Sequence, residues 1–370
     1  MEIIVNKTDL LRELQLFQGI VERKNTIPIL ANVLIEARDD AVSFLATDLE
    51  VGLRSRCRAK VLKTGAVTLP AKKLYEIVRS LPDTEIHIGD DKGGVKLRAD
   101  RFDSRMQTLP REDFPTLPES AEGSLAVLPR SALREMVAKT QFAITGEDTR
   151  YFLNGALFVM RPDSMSLVAT DGHRLALVTV PRNGRAGKPE QEDRPILPKK
   201  TLNELGRLLA EDDGDVQFQR GENHLFFRLG DRTLISRMID GQFPAYERVI
   251  PKANDKHIEF ERERLANAVR RVALLSNERS RAVKFRLAKG RVEVASSSPD
   301  LGEAREEIPV EYAGAAMEIC FNAQYLLDFL SAVSTDVVSL DVKDEVSQAV
   351  VKPVGAEGYD YTYVIMPMRA

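Results

Sequence analysis

Acid–base chemistry needs a carboxylate and an imidazole within reach of each other, and the stretch "ATDGHRLA" (169–176) brings Asp171 and His173 together. No nucleophile stands at a defined offset from them. Residues two apart on a strand share a face for many reasons, so the pair does not make a catalytic site. The patterns G-x-S-x-G, H-E-x-x-H, C-x-x-C and G-x-x-x-x-G-K-[ST] do not occur. The glycines of "GDDKGG" (89–94) lie between two alternating strands and read as a hairpin turn rather than a phosphate loop. His87, His173, His224 and His257 have no metal-ligand spacing. The expectation is a protein that is not an enzyme, with no cofactor and no metal.

The same Ala-Thr-Asp closes an apolar run in "FLATDLEVG" (44–52). The interval from Asp48 to Asp171 recurs between Val5 and Leu128, Leu10 and Leu133, and Leu14 and Val137, and Phe260, Leu265 and Val269 continue the series. Behind these lies one amphipathic helix in three versions, "KTDLLRELQLFQGIV", "PRSALREMVAKTQF" and "ERERLANAVRRVALL", with apolar residues at i, i+3/i+4 and i+7. A second helix recurs as "LPAKKLYEIVRSL" (69–81), "LPKKTLNELGRLL" (197–209) and "CFNAQYLLDFLSAV" (320–333), and hairpins follow each copy. The reading is α+β: three tandem units of two helices and roughly eight strands, with bounds 1–122, 123–252 and 253–370. The polar stretch 182–196 reads as a loop.

Hydrophobic residues make up 43% of the 370, enough for real cores, and charged residues 29% with both signs interspersed. No run approaches a membrane span, no secretory leader is evident, and Cys57 and Cys320 read as reduced thiols of a cytoplasmic protein. A net charge of −3 excludes a generally basic DNA-binding domain but not positive charge confined to one surface. The helices carry such charge off their apolar stripes: Lys72, Lys73 and Arg79, then Arg134, Lys199 and Lys200, with the Lys-Lys pair at the same place in two units. Ordinary solvated helix faces are the alternative reading.

With three units, "YFLNG" (151–155), "ATDGHRLA", "LSNE" (275–278) and a terminal "VIMPMR" (364–369), the whole chain resembles the bacterial DNA polymerase III β subunits, the sliding clamps. The resemblance implies a head-to-tail homodimer whose six domains ring duplex DNA, helices inward, and which serves as a processivity factor. Phosphate contacts without base readout, as sliding requires, would be weak and salt-dependent. Carried over from the family, DNA contacts fall at Lys24, Arg150 and Phe152. Leu274 and Leu275 of "RRVALLSNE" fall at the dimer interface, with Val272 a core residue. A pocket for short hydrophobic peptides would use Leu153, Thr170, Gly172, His173, Arg174 and Leu175. Pro244, Arg248, Val249, Val346 and Val364 join them, with Met366, Pro367 and Met368 closing the set. Arg174 and Arg248 would hold a peptide's polar ends. The partners implied are the polymerase III α subunit, the clamp loader δ subunit, other polymerases and repair proteins. A repeat scaffold that never encircles DNA is the rival reading.

Overall fold

Each helical stripe folds as a helix started by the residues around it. The computed structural model describes residues 1–21, 26–120, 125–146, 148–182, 192–211 and 214–369. The first repeat runs β1 (Glu2–Asn6), α1 (Lys7–Phe17), β2 (Asn32–Arg38), β3 (Ala41–Thr47), β4 (Val51–Arg58), β5 (Lys60–Lys63), β6 (Gly65–Pro70), α2 (Ala71–Ser80), β7 (Glu85–Asp91), β8 (Gly94–Ala99) and β9 (Phe102–Met106). The second runs β10 (Ala126–Pro129), α3 (Arg130–Thr140), β11 (Gly155–Met160), β12 (Ser164–Thr170), β13 (Arg174–Pro181), β14 (Ile196–Pro198), α4 (Lys199–Leu209), β15 (Asp215–Arg220), β16 (His224–Leu229) and β17 (Arg232–Arg237). The third runs β18 (Lys256–Glu261), α5 (Arg262–Ala273), β19 (Ala282–Ala288), β20 (Arg291–Ser298), β21 (Gly302–Pro309), β22 (Met317–Asn322), α6 (Ala323–Ala332), β23 (Val337–Val342), β24 (Ala349–Pro353) and β25 (Asp360–Ile365). Asn6 and Asn322 cap α1 and α6 by accepting from the backbone N–H of Thr8 and Gln324, each at 2.9 Å. The stripe of α1, Leu10, Leu14 and Phe17, is fully buried. The stretch 182–196 expected as a loop falls mostly on 183–191, outside the described residues.

The chain folds as two compact units that do not follow the repeats. The first holds the described residues of 1–133 and 200–238. Its larger sheet runs β10-β15-β16-β17-β4-β3-β2-β6, so second-repeat β17 pairs antiparallel with first-repeat β4, Ile235 opposite Gly52 and Leu234 opposite Leu53. Its smaller sheet runs β5-β1-β7-β8-β9. The second unit holds the described residues of 134–184, 189–199 and 239–370. Its larger sheet runs β18-β23-β24-β25-β13-β12-β11-β14, the same order strand for equivalent strand, with third-repeat β25 paired to second-repeat β13 and Val364 opposite Leu175. Its smaller sheet runs β21-β20-β19-β22. An unpaired strand edge leaves N–H and C=O groups unsatisfied, and joining the edges of consecutive repeats removes that cost at both joints.

Both cysteines are buried, and burial, followed by nearby Glu13, pushes the Cys57 thiol up to about 12. Cys320 is raised by burial as well. The thiolate is the reactive form, so native protein at pH 8 is expected to take up no iodoacetamide by mass spectrometry, and both thiols to react in urea.

Candidate functional site

The repeated Ala-Thr-Asp builds the same turn twice. In the first unit the Thr47 hydroxyl donates to Val51 O (3.1 Å) and accepts from Leu49 N (2.9 Å), while Asp48 Oδ1 accepts from Glu50 N (2.9 Å) and Val51 N (2.7 Å). In the second unit Thr170 donates to Arg174 O (2.6 Å) and accepts from Gly172 N (3.1 Å), and Asp171 Oδ1 accepts from His173 N (2.9 Å) and Arg174 N (3.0 Å). The third turn position has positive φ in both, +80° at Leu49 and +89° at Gly172. A glycine adopts this region without penalty. Here it also leaves room for the Arg150 guanidinium, 3.3 Å from where a Cβ would stand. Asp171 is therefore a turn-former rather than half of an acid–base pair.

Arg174 departs from the expectation that it holds a peptide end. Its Nε donates to Asp171 Oδ2 (3.1 Å), one terminal nitrogen donates to Asp328 and the other to Phe142 O (2.6 Å), and the guanidinium lies 4.3 Å from the centre of the Tyr325 ring. Burial works against its charge, but Tyr363, Asp328 and Asp171 outweigh it and raise its pKa. A guanidinium with this set of partners ties the β12–β13 turn to α6 and is not free for a ligand.

Beside that turn the structure gathers an apolar cluster. Leu153, Leu175 and Val364 meet Val168, Phe243, Tyr246 and Val350, all buried. The first three are thus buried and offer no accessible wall. Half-buried Phe152, Leu177, Ile239 and Ile250 pack against the cluster from outside. The C-terminal segment continues the β13–β25 pairing for one residue, Met366 N donating to His173 O (2.9 Å), and then turns to β22, where Met368 N donates to Cys320 O (2.8 Å). This leaves Met366, Pro367 and Met368 half-buried. Pro244, Arg248 and Val249 are exposed on either side of buried Tyr246. Val346 is 63% exposed on the loop leading into Val350, where Asp344 Oδ1 accepts from Val346 N (3.1 Å) and Ser347 N (2.7 Å). Thr170 is half-buried, while Gly172 and His173 are exposed at the turn. Sequence reasoning missed Leu177, Phe243, Ile250 and Val350. Leu177 could have been found from its period-two spacing after Leu175, and Phe243 from the Phe-Pro it shares with Phe114.

The basic candidates divide. Lys24 lies outside the described residues. Lys72 and Arg79 of α2 are exposed and form no ion pair with another described residue, and the same holds for Arg134 of α3. Lys73 pairs with Glu76 at 2.6 Å. Arg150 pairs with Asp148 at 2.8 Å and, by hydrogen bonding, holds that carboxyl down to about 2. Phe152 is half-buried against the apolar cluster, edge-on to Tyr151. Lys199 and Lys200 depart from the expected basic face. Lys199 donates to Ile144 O (3.0 Å), and Lys200 pairs with Asp48 and donates to Ile20 O (3.2 Å). An ammonium that neutralises a buried carboxylate is held inside the fold, so the two Lys-Lys pairs share a position and not a role. Leu274, just after α5, is 74% exposed, Leu275 is half-buried and Val272 is buried. Among the described residues no His/Cys/Asp/Glu group could hold a metal, and no helix is long and apolar enough to cross a membrane.

Comparison with known proteins accounts for the whole chain. Residues 1–118, 127–245 and 247–369 match the family models for the N-terminal, central and C-terminal domains of the DNA polymerase III beta subunit. The beta sliding clamp of Pseudomonas putida is 40% identical, and that of Escherichia coli 35%, each over 100% of both chains. A crystal structure of a sliding clamp from Pseudomonas aeruginosa bound to griselimycin superposes with a TM-score of 0.94 at 38% identity, covering 100% of both chains. One from Bartonella birtlesii, also bound to griselimycin, gives 0.94 at 37% with the same coverage. Three domain matches in order, full-length identity and a common fold agree, and the chain belongs to the DNA polymerase III beta subunit family, that of the beta sliding clamps.

Proposed function

We propose that two copies of this chain close head to tail around duplex DNA and tether replication and repair proteins through the apolar site of the second unit, acting without catalysis. The strand order carries the closure. Both large sheets have one eight-strand order, while the small sheets supply β1-β7-β8-β9 in one unit and β21-β20-β19-β22 in the other. Set edge to edge, β9 of one copy against β21 of the next, these halves make that same order a third time. A heterologous contact that closes after two copies gives a ring and leaves neither edge open. Leu274 and Leu275 adjoin this joint in the reading. Each copy then contributes three domains, with bounds near residues 122 and 252.

Lys72, Arg79 and Arg134, with Lys24, Arg150 and Phe152 at the loops, would meet the duplex. Lys73 would join them by exchanging Glu76 for a phosphate. A few solvated cations on a chain of net charge −3 support weak, salt-sensitive, sequence-independent contact, and linkage then retains the ring. Protein loaded on nicked circular DNA is expected to stay through gel filtration and to leave when the circle is cut. Retention on the linear product would overturn the ring.

The docking site would take short apolar peptides of the polymerase α subunit, the clamp loader δ subunit and repair polymerases. Met366 and Met368 offer adaptable apolar surface, and exposed Val249, Val346 and Arg248 complete its rim. Deleting residues 366–370 removes two partly buried methionines, each worth about 1.5–3 kcal/mol if fully covered. Affinity for a polymerase tail peptide is expected to fall at least about a hundredfold by fluorescence anisotropy, with the dimer intact. Unchanged affinity would remove the assignment.

A further inference from the structure

The first unit contains a second apolar cluster: Ile29, Leu30, Leu45, Phe114, Leu117, Phe226 and Ile235, with Leu34 against it. The repeat maps most of it onto the docking cluster. Leu30 stands where Leu153 does, Phe114 where Phe243 does and Leu117 where Tyr246 does. Strand register extends the match. Ile235 lies opposite Gly52 as Val364 lies opposite Leu175, and Phe226 pairs with Ile235 as Val350 pairs with Val364. Three floor positions differ by the same register: Glu36 stands for Val159, Thr68 for Ile196, and Gly52 for Leu175. A Cβ on Gly52 would fall 3.0 Å from Leu117, so Leu117 reaches into the volume that Leu175 fills in the other unit.

The rim differs more. Counting from the paired turns, Leu177 is matched by Arg54, His173 by Glu50, Arg248 by Glu119 and Met366 by Arg237. These four replacements face each other as two ion pairs, Arg54–Glu119 at 3.9 Å and Arg237–Glu50 at 3.6 Å. The loop that presents Val346 between β23 and β24 has a shorter counterpart between β15 and β16, without an exposed apolar residue. An apolar peptide laid here would have to bury charged groups and would find its floor already filled.

We propose that the first unit holds a closed twin of the docking site, and that Leu117, Arg54 and Arg237 restrict each chain to one bound peptide. The proposal rests on the docking reading of the second unit. It is tested by counting bound peptides on the full-length dimer, by native mass spectrometry and anisotropy. The probe is a fluorescein-labelled nonapeptide with two leucines and a phenylalanine. The parent chain is expected to bind one peptide per chain, and none once residues 366–370 are deleted. The triple variant R54L/L117A/R237M is expected to bind two, and one after the deletion. The double variant R54L/R237M, which leaves the buried cluster untouched, is expected to gain second-site binding at least tenfold above the parent. A parent that already binds two, or variants that melt cooperatively and still bind one, overturns the closed twin. Unchanged binding by the deleted parent strikes the docking reading instead, because the count gained by the triple variant is scored separately.

Discussion

A chain carrying Phe102→Asp is expected to sediment as a monomer at micromolar concentration where the parent is a dimer. Phe102 opens β9, the outer strand of the small sheet in the first unit, and is 39% exposed. The Ser-Arg-Met at 104–106 recurs at 236–238, which sets Phe102 in register with Leu234. Leu234 is fully buried in β17, where β4 covers it, and Tyr363 of β25 is fully buried at the matching place beside β13. Two of three equivalent positions thus lie beside a strand from the preceding repeat. In the proposed ring the third strand, β21, comes from a second copy. Covering an aromatic ring is worth about 2–3 kcal/mol. A carboxylate there loses that gain and resists desolvation by a further 1–3 kcal/mol or so. About 4 kcal/mol corresponds to roughly a thousandfold at each joint, and the proposed ring has both joints altered. Phe102→Leu should keep the dimer, and the circular dichroism of both variants should match the parent. A dimer that survives the aspartate would rule out pairing of these edges.

Glu13→Ala should produce the largest loss of stability in the first unit, about 3–5 kcal/mol in urea unfolding. Glu13 sits on the buried side of α1 between Leu10 and Phe17, with its side chain 2% exposed. It accepts two hydrogen bonds from Arg232 of β17, at 3.0 and 2.7 Å, and the third guanidinium nitrogen reaches Glu211. Burial works against the charge on Arg232, and the two glutamates raise its pKa in spite of it. Removing Glu13 leaves a buried cation with one partly exposed partner, which is why a deletion costs far more than the pair contributes. The double variant Glu13→Leu/Arg232→Met should recover most of the loss, since a well-packed apolar pair can replace a buried ion pair. A single variant within about 1 kcal/mol of the parent would contradict this account.

The local periodicities were open to reading from the chain alone. Apolar spacing marked α1, α3 and α5. Alternation around Gly-rich turns marked the hairpins, recurrence of Ala-Thr-Asp marked two copies, and the spacing of Phe260, Leu265 and Val269 marked the third. These features depend on residues a few positions apart, whose geometry the backbone repeat dictates. Residue type could not say which side chains are available. Lys199 and Lys200 look like Lys72 and Lys73, yet the second unit's Ile144 carbonyl engages one and Asp48 of the first repeat the other. Arg174 looks like a ligand-binding guanidinium until α6 brings Asp328 to it. Glu13 reads as an ordinary helix acid until β17 supplies Arg232.

In each of these cases the deciding partner lies far along the chain, and only strand register and the joining of repeats bring it near. The same is true of the second unit's apolar cluster, where Leu153, Leu175 and Val364 come from three separate segments. Sequence alone determined the repeated unit, its helices and hairpins, and the family resemblance, because these follow from short-range pattern. Tertiary structure alone decided which charges are neutralised, which apolar residues are buried or exposed, and that sheets run across the repeats. Those outcomes depend on burial and long-range pairing, which no local period encodes.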